Sequence, residues 1–268
     1  MDIAGLLSAL FMGVVEGLTE FLPISSTGHL ILLGELIGFE GPPGKVFEIA
    51  IQLGAILAIV VTYWGDLWRI ARGMWQPETV ERFTATNLLL AFLPALVIGA
   101  ALHGTITRLL FNPWVVAMAL ILGGVAIILI ERNRPAPTIA SVPEIGPVAA
   151  LLIGLGQVLA MIPGTSRSGA TIITALLLGV ERRAAAEFSF LLAIPTMLAA
   201  AVYSLWKARN DIDLSGVGQI GIGFAAAFVV ALVVVRMVLA SISRIGFAPF
   251  GWYRIVLGGI ILVWLTLR

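Results

Sequence analysis

Six uninterrupted apolar runs dominate the chain, and each is long enough to cross a lipid bilayer as an α-helix. A helix needs about 20 apolar residues to span the hydrocarbon core, and in lipid only helices and closed barrels satisfy every backbone hydrogen bond. With 60% hydrophobic and 12% charged residues, the chain is predicted to be an all-α integral membrane protein with one membrane domain, residues 1–268. The runs cover residues 46–64, 87–104, 113–131, 187–206, 217–240 and 250–267, and we expect polar loops at 65–86, 132–145 and 207–216.

Charge and cysteine content exclude several other classes of protein. The net charge of +1 creates no strong field for a polyanion, so we expect no nucleic-acid partner. The chain has no cysteine, which excludes a disulfide framework, thiol catalysis and a thiolate metal site. The first residues lack a basic segment followed by a small-residue cleavage site, so we expect no cleaved signal peptide.

Four further apolar stretches are short and come in two interrupted pairs. Residues 4–22 and 26–38 are separated around Pro23, and residues 146–162 and 168–180 are separated around Pro163. Irregular backbone at membrane depth is tolerated only where it is buried in protein or lines a wet cavity. The sequence therefore predicts four re-entrant or short helices whose breaks lie at a cavity.

The chain repeats itself at a spacing of 141 residues. Two broken helices and three spans fall in each half, approximately 1–135 and 142–268. Because each half crosses the membrane three times, an odd number, the second half starts from the opposite side. The sequence therefore predicts an inverted-topology repeat whose two breaks meet near the midplane of the membrane. The aligned pairs include Gly13 with Gly154, Ser25 with Ser166, Gly28 with Gly169 and Gly38 with Gly179.

The first break carries two carboxylates, Glu16 and Glu20, one helical turn apart. Two carboxylates on one face of a helix can hold Mg²⁺ or Ca²⁺ together with phosphate oxygens and water. The alternative is a pair of interfacial carboxylates with no ligand. Ionisable groups deep in an apolar run usually mark a functional site, so we favour the metal site.

A hydroxyl-rich segment with a histidine follows the carboxylates. Ser26 and His29 would be one turn apart on a helix, which is close enough for the imidazole to act as a base on the hydroxyl. Ser25 and Thr27 could bind an anion at the start of that helix, or one of them could simply cap it.

The second break contains Arg167 between Ser166 and Ser168, with Thr171 one turn further on. A guanidinium at a helix N-terminus suits a phosphate group, because it adds a charged planar fork to free N–H donors. The alternative is a structural ion pair between Arg167 and Glu16 or Glu20. Gln52 and Ser189 lie in matching regions of the two halves and could line the cavity or serve packing alone.

These groups together indicate phosphoryl chemistry on a lipid that carries a phosphate or diphosphate.

The distribution of basic residues favours one side of the protein as cytoplasmic. Eight arginines are expected there: Arg69, Arg72, Arg82, Arg132, Arg134, Arg182, Arg183 and Arg244. Five basic residues are expected on the other side: Lys45, Arg108, Lys207, Arg209 and Arg268.

At these residues the chain resembles the undecaprenyl-diphosphate phosphatase family, also called the bacitracin-resistance protein family. Residues 16–20 match its Glu/Gln-x-x-x-Glu motif, and residues 163–171 match its Pro-Gly-x-Ser-Arg-Ser-x-x-Thr motif. The Ser25 to His29 run also matches, and the resemblance covers nearly the whole chain. It implies a multi-pass hydrolase of the bacterial inner membrane that depends on a divalent cation. Such an enzyme converts undecaprenyl diphosphate to undecaprenyl phosphate and inorganic phosphate, which recycles the cell-wall lipid carrier and confers bacitracin resistance. Its site is expected to open to the periplasmic side.

Two questions are open at this point. In the first mechanism Ser26 is the nucleophile and His29 its base; in the second, His29 activates a water and Ser26 only donates a hydrogen bond. In both, Glu16 and Glu20 hold the cation, Arg167 clamps the phosphate, and Ser166, Ser168 and Thr171 bind it with Ser25 and Thr27. The other function considered is a polyprenyl-phosphate flippase, since inverted repeats with broken helices are also a transporter design. Expected partners are the polyprenyl diphosphate, membrane lipid and, as an open alternative, a second copy of the chain.

Overall fold

The computed structural model describes residues 3–39, 41, 46–110, 112–209 and 216–267. Within these ranges the protein has eleven α-helices, one isolated β-bridge between Ile139 and Val180, and no strand. Short 3₁₀ turns cover Val142–Glu144 and Leu159–Met161. The helices are α1 (Ile3–Thr19), α2 (Ser26–Ile37), α3 (Val46–Thr62), α4 (Trp64–Gly73), α5 (Val80–Leu110), α6 (Pro113–Asn133), α7 (Pro147–Val158), α8 (Arg167–Leu177), α9 (Arg182–Ala208), α10 (Val217–Ile245) and α11 (Ala248–Leu267).

The predicted fold class, an all-α membrane protein, is confirmed. Five helices, α5, α6, α9, α10 and α11, are long and apolar enough to cross a membrane, and α3 with α4 makes a sixth candidate. The short helices α1, α2, α7 and α8 occupy the two interrupted pairs, with their breaks after Thr19 and after Met161.

The prediction was wrong between residues 62 and 86. The third span ends at Thr62 and the chain turns by 75° into α4, and α5 already begins at Val80. Trp64 and Trp68 stack at 6.4 Å between ring centroids, and the Arg72 guanidinium lies 4.5 Å from the Trp68 ring centroid. This surface helix alternates aromatic and charged residues, so its composition resembles a loop although its spacing is helical.

The first broken pair, α1 with α2, enters the bundle from one end. A Cβ atom on Gly218, at the start of α10, would lie 3.7 Å from the Leu6 side chain of α1. Phe39, just after α2, packs against Phe47 of α3 with ring centroids 4.9 Å apart. Both outer ends of this hairpin therefore lie beside the starts of α3 and α10.

The second broken pair, α7 with α8, enters from the opposite end. The Asn87 amide, near the start of α5, donates to the Ile145 carbonyl at 2.7 Å just before α7. After α8, the Gly179 carbonyl accepts from the Thr138 N–H at 2.8 Å. Arg182 then reaches the Ser243 carbonyl at 3.2 Å, near the end of α10. Since α10 begins beside Leu6 and ends beside Arg182, the two hairpins approach each other from opposite ends.

All eight arginines expected on one side lie on segments at this second end. Arg69, Arg72 and Arg82 belong to α4 and the start of α5, Arg132 and Arg134 lie at the end of α6, and Arg182 and Arg183 start α9; Arg244, in the last turn of α10, joins them. Lys207 and Arg209 lie at the far end of α9. Lys45, Arg268 and the side chain of Arg108 lie outside the described residues.

Residues 141 positions apart adopt the same backbone conformation and the same packing. Gly38 and Gly179 have φ values of 62° and 78° after α2 and α8. A Cβ on Gly13 would lie 2.3 Å from the Gly223 carbonyl oxygen, and a Cβ on Gly154 would lie 2.3 Å from that of Ala91. The α1–α10 and α7–α5 crossings thus need the same glycine, because only small residues let helix backbones approach so closely. The predicted limits of the two halves, 1–135 and 142–268, stay a prediction.

Candidate active site

The tips of the two hairpins meet and form one wall of a cavity of about 350 Å³. The Ser168 hydroxyl of the second tip lies 2.9 Å from the Leu22 carbonyl of the first. The polar residues that line the cavity are Glu20, Ser25, Ser26, Thr27, Gln52, Gln157, Ser166, Arg167, Thr196 and Ser204. Small-molecule pockets range from roughly 300 to 1,000 Å³, so this one suits a compact polar group with a short apolar extension.

Both tips are shaped by a serine with a left-handed backbone. Ser25 and Ser166 have φ values of 69° and 74°, which residues other than glycine rarely adopt. Each hydroxyl accepts the N–H of the residue three positions on, Gly28 at 3.4 Å and Gly169 at 3.1 Å, and so caps α2 and α8. The N-termini of both short helices are thereby brought to the cavity, where free N–H groups favour an anion.

A carboxylate at the centre of the site joins the two halves. Glu20 Oε1 accepts from Arg167 Nη2 at 3.1 Å, and the Ser26 hydroxyl donates to Glu20 Oε2. The Glu20 side chain is 7% exposed and that of Arg167 is 12% exposed. A hydroxyl, a carboxylate acceptor and a guanidinium that orients the carboxylate therefore lie in one hydrogen-bonded series, an arrangement that can activate a nucleophile.

Two residues of α9 complete the surroundings of Arg167. Its Nη1 donates to the Ser189 carbonyl at 2.9 Å, and Nη2 also lies 3.4 Å from Met197 Sδ. The guanidinium carbon is 5.8 Å from the centroid of the Phe21 ring. These contacts fix the guanidinium on the cavity wall, where Arg167 and Gln52 both lie as the sequence suggested.

The structure gives Ser26 and His29 other hydrogen-bond partners than the predicted pairing of the two. His29 Nδ1 lies 2.8 Å from the Ser25 carbonyl, and since a carbonyl only accepts, this nitrogen carries the proton. Nε2 lies 2.7 Å from the Tyr253 hydroxyl, and in a neutral ring it accepts that hydrogen. Ser26 and His29 are one helical turn apart, but both ring nitrogens of His29 are bonded elsewhere and the Ser26 hydroxyl donates to Glu20.

Three of the five predicted substrate-binding hydroxyl residues, Ser25, Thr27 and Ser166, line the cavity. Ser168 and Thr171 are completely or almost completely buried. Ser168 contacts the first tip, and the Thr171 hydroxyl pairs with that of Ser189 at 2.7 Å. These two hydroxyls hold α8 against its neighbours.

Glu16 lies one turn before Glu20 and is 2% exposed. Within the described ranges, no group of three His, Cys, Asp or Glu side chains could hold a metal ion. Mg²⁺ is commonly bound by one or two carboxylates plus substrate phosphates and water. Glu20 lines the cavity and Glu16 is not among its lining residues, so a cation site on these two carboxylates stays a prediction.

The comparison with protein families decides the relationship. A family model described as bacitracin resistance protein BacA matches residues 9–260. The chain belongs to this family.

Curated relatives agree with this membership over almost their whole length. Undecaprenyl-diphosphatase 2 of Paramagnetospirillum magneticum is 53% identical over 98% of this chain and 100% of its own. The undecaprenyl-diphosphatases of Rhizorhabdus wittichii and Sphingopyxis alaskensis are 52% and 50% identical. They cover 98% and 97% of this chain, and 98% of their own lengths in both cases.

In this BacA-family chain the residue that sequence reasoning missed is Arg254 of α11. It is 1% exposed and donates five hydrogen bonds of 2.8 to 3.3 Å, all to backbone carbonyls. Two segments at the tips and one helix supply these carbonyls: Pro23, Gly164 and Thr165, and Ala119 and Leu120 of α6. The available signal was a lone arginine inside a predicted span, which by default marks a functional position.

Replacement of Arg254 should separate the two tips. Arg254→Met removes all five bonds and leaves buried carbonyls without a partner, each of which costs about 1–3 kcal/mol. We expect a clear fall in the unfolding temperature of the detergent-solubilised protein, with a smaller fall for Arg254→Lys. Arg236→Met on α10, an arginine for which the structure shows no such role, is the control. Equal unfolding temperatures for Arg254→Met and Arg236→Met would contradict this role.

Proposed function

We propose that the protein is an undecaprenyl-diphosphatase, which releases inorganic phosphate from undecaprenyl diphosphate and leaves undecaprenyl phosphate. The observation that supports this most strongly is the hydrogen-bonded series Ser26–Glu20–Arg167. It joins a hydroxyl, a carboxylate and a guanidinium on the wall of a cavity between membrane-length helices. The undecaprenyl-diphosphatases at about half identity over the full length support the choice of substrate. The product is the lipid carrier that cell-wall synthesis reuses, and removal of the diphosphate form accounts for bacitracin resistance.

In the proposed reaction, the Ser26 oxygen attacks the terminal phosphorus while its proton passes to Glu20 Oε2. The bond between that phosphorus and the bridging oxygen breaks, and undecaprenyl phosphate leaves. Water then attacks the phosphoserine, which releases inorganic phosphate and restores the Ser26 hydroxyl. Arg167 and the N–H groups at the starts of α2 and α8 stabilise charge on the terminal oxygens, which is the main requirement of phosphoryl transfer.

Glu20 replaces His29 as the proposed base because its carboxylate is the acceptor of the Ser26 hydroxyl. The histidine receives a positioning role: its N–H donates to the carbonyl of Ser25, the residue with the left-handed backbone. Direct attack by an activated water, the second mechanism considered, would leave the Ser26–Glu20 bond without a chemical purpose.

We also propose that Glu16 and Glu20 hold a divalent cation, Mg²⁺ or Ca²⁺, together with the diphosphate. Two carboxylates beside an anionic substrate repel it unless a cation lies between them. When bound, the cation offsets the charge of the diphosphate oxygens.

The apolar part of the cavity is the proposed entry of the polyprenyl chain. Its wall comes from two neighbouring helices, with Phe92 and Leu96 of α5 and Ala199 and Ala200 of α9. Apolar side chains on these helices therefore accept the first isoprene units, and the rest of the tail lies in membrane lipid.

We propose that the protein lies in the bacterial inner membrane with its arginine-rich end in the cytoplasm, following the positive-inside rule. The cavity is lined by residues 196–204 in the second half of α9, away from that end. This orientation opens the site to the periplasmic side. A homodimer stays a prediction.

A flippase that used the same cavity would need the phosphate clamp but no proton acceptor on Ser26. The hydroxyl-to-carboxylate bond therefore favours the hydrolase.

Phosphate release from undecaprenyl diphosphate by the purified protein tests this proposal. We expect Ser26→Ala and Glu20→Gln each to reduce kcat at least about a thousandfold, equivalent to about 4 kcal/mol of transition-state stabilisation. Mass spectrometry of acid-quenched wild type should detect phosphate on Ser26. The matched control is Ser241→Ala, which removes an exposed hydroxyl bonded only within α10.

Two results would contradict the proposal. No phosphate release by the wild-type protein would exclude the hydrolase, and full activity of Ser26→Ala would exclude the covalent route.

The cation proposal is tested by chelation. We expect EDTA to abolish phosphate release and added Mg²⁺ or Ca²⁺ to restore it. Glu16→Gln should need about tenfold more metal for half-maximal activity, because one charged ligand is lost. Mn²⁺ binding followed by electron paramagnetic resonance gives a readout independent of activity. Undiminished turnover in EDTA, or equal metal affinity in Glu16→Gln, would contradict the site.

A further inference from the structure

Five buried side-chain polar atoms in the described part of the chain have no hydrogen-bond partner: Tyr63 Oη, Asn87 Oδ1, Glu131 Oε2, Gln157 Nε2 and Arg167 Nε. Only Gln157 and Arg167 also line the cavity, and both of their unpartnered atoms are N–H donors. Buried donors without acceptors are costly, so they are retained where a ligand supplies the acceptor. An excess of donors on a cavity wall selects an anion.

Gln157 is held on the wall of the cavity in a defined orientation. It lies in the last two residues of α7, is 2% exposed, and its Oε1 is 3.4 Å from the Thr196 hydroxyl of α9. That hydroxyl also lies 2.8 Å from the Leu192 carbonyl. The Thr196 hydroxyl donates to the amide oxygen, so neither N–H of the Gln157 amide nitrogen has a partner among the described residues.

The repeat gives this amide a counterpart of opposite character. Gln157 is 141 positions after Glu16, so the second half places N–H donors where the first half places a carboxylate. The first half is thereby suited to a cation and the second to an anion.

We propose that Gln157 Nε2 binds the phosphate that stays attached to the lipid when the terminal phosphate is removed. The inference rests on the proposed function of the cavity. In the proposed reaction Ser26 and Glu20 act on the terminal phosphate. The lipid-side phosphate is therefore the group that the Gln157 amide can bind. Gln157 lines the same cavity as the apolar residues that accept the chain, such as Leu96 of α5 and Ala200 of α9.

Binding of farnesyl phosphate and of inorganic phosphate to the full-length protein, measured by isothermal titration calorimetry, separates the two phosphate positions. We expect Gln157→Met to weaken farnesyl phosphate about tenfold, as the loss of a hydrogen bond to a charged group requires. Gln157→Glu, which keeps the size but replaces the donor by a negative charge, should weaken it further. Affinity for inorganic phosphate should change less than about twofold, within the uncertainty of additivity between separate sites.

The control is Ser241→Ala, which removes an exposed hydroxyl bonded only within α10 and leaves the cavity unchanged. Unfolding temperatures identify any variant that fails to fold, and Gln157→Glu remains usable if Gln157→Met does not. The proposal is overturned if both Gln157 variants bind farnesyl phosphate like the wild type, if Ser241→Ala reproduces their loss, or if only inorganic phosphate is affected. Because the assay needs no turnover, a wild type that binds farnesyl phosphate but releases no phosphate would sink the hydrolase and leave the binding site standing.

Discussion

The ion pair between Arg167 and Glu20 is the interaction on which the rest of the site depends. It joins two hairpins that enter from opposite ends of the bundle and are far apart in sequence. A buried ion pair stabilises a protein only when further hydrogen bonds compensate the loss of water, and here Ser26 and the Ser189 carbonyl supply them. The same bonds aim the second carboxylate oxygen at the Ser26 hydroxyl, so structure and chemistry share one set of contacts.

A second constraint follows from the irregular backbone at the tips. Carbonyl groups that leave a helix at membrane depth need donors from elsewhere in the protein. Arg254 supplies them for both tips, and Gly123 leaves room for its guanidinium, because a Cβ there would lie 2.1 Å from Arg254 Nη2. A lysine has three donors on one atom and cannot match the planar spread of these five bonds.

The sequence predicted most of the architecture because the membrane leaves few options. Apolar length located the spans, and Pro23 and Pro163 marked the two breaks. Helix α4 was missed because an amphipathic surface helix has the composition of a loop. The role of Arg254 as a hydrogen-bond donor to carbonyl groups was missed because backbone acceptors have no sequence signature.

The directions of the site side chains could also not be predicted from the sequence. Spacing placed Ser26 and His29 one turn apart, but the rotamer of each depends on Glu20 and Tyr253, which are brought there by the tertiary fold.

The central claim is that Glu20 and Arg167 act as one unit. A double-mutant cycle on the free energy of unfolding tests this claim with Glu20→Gln, Arg167→Met and the double variant. The account predicts a coupling of about 1–3 kcal/mol between the two positions. Effects that add within about 0.5 kcal/mol would contradict it.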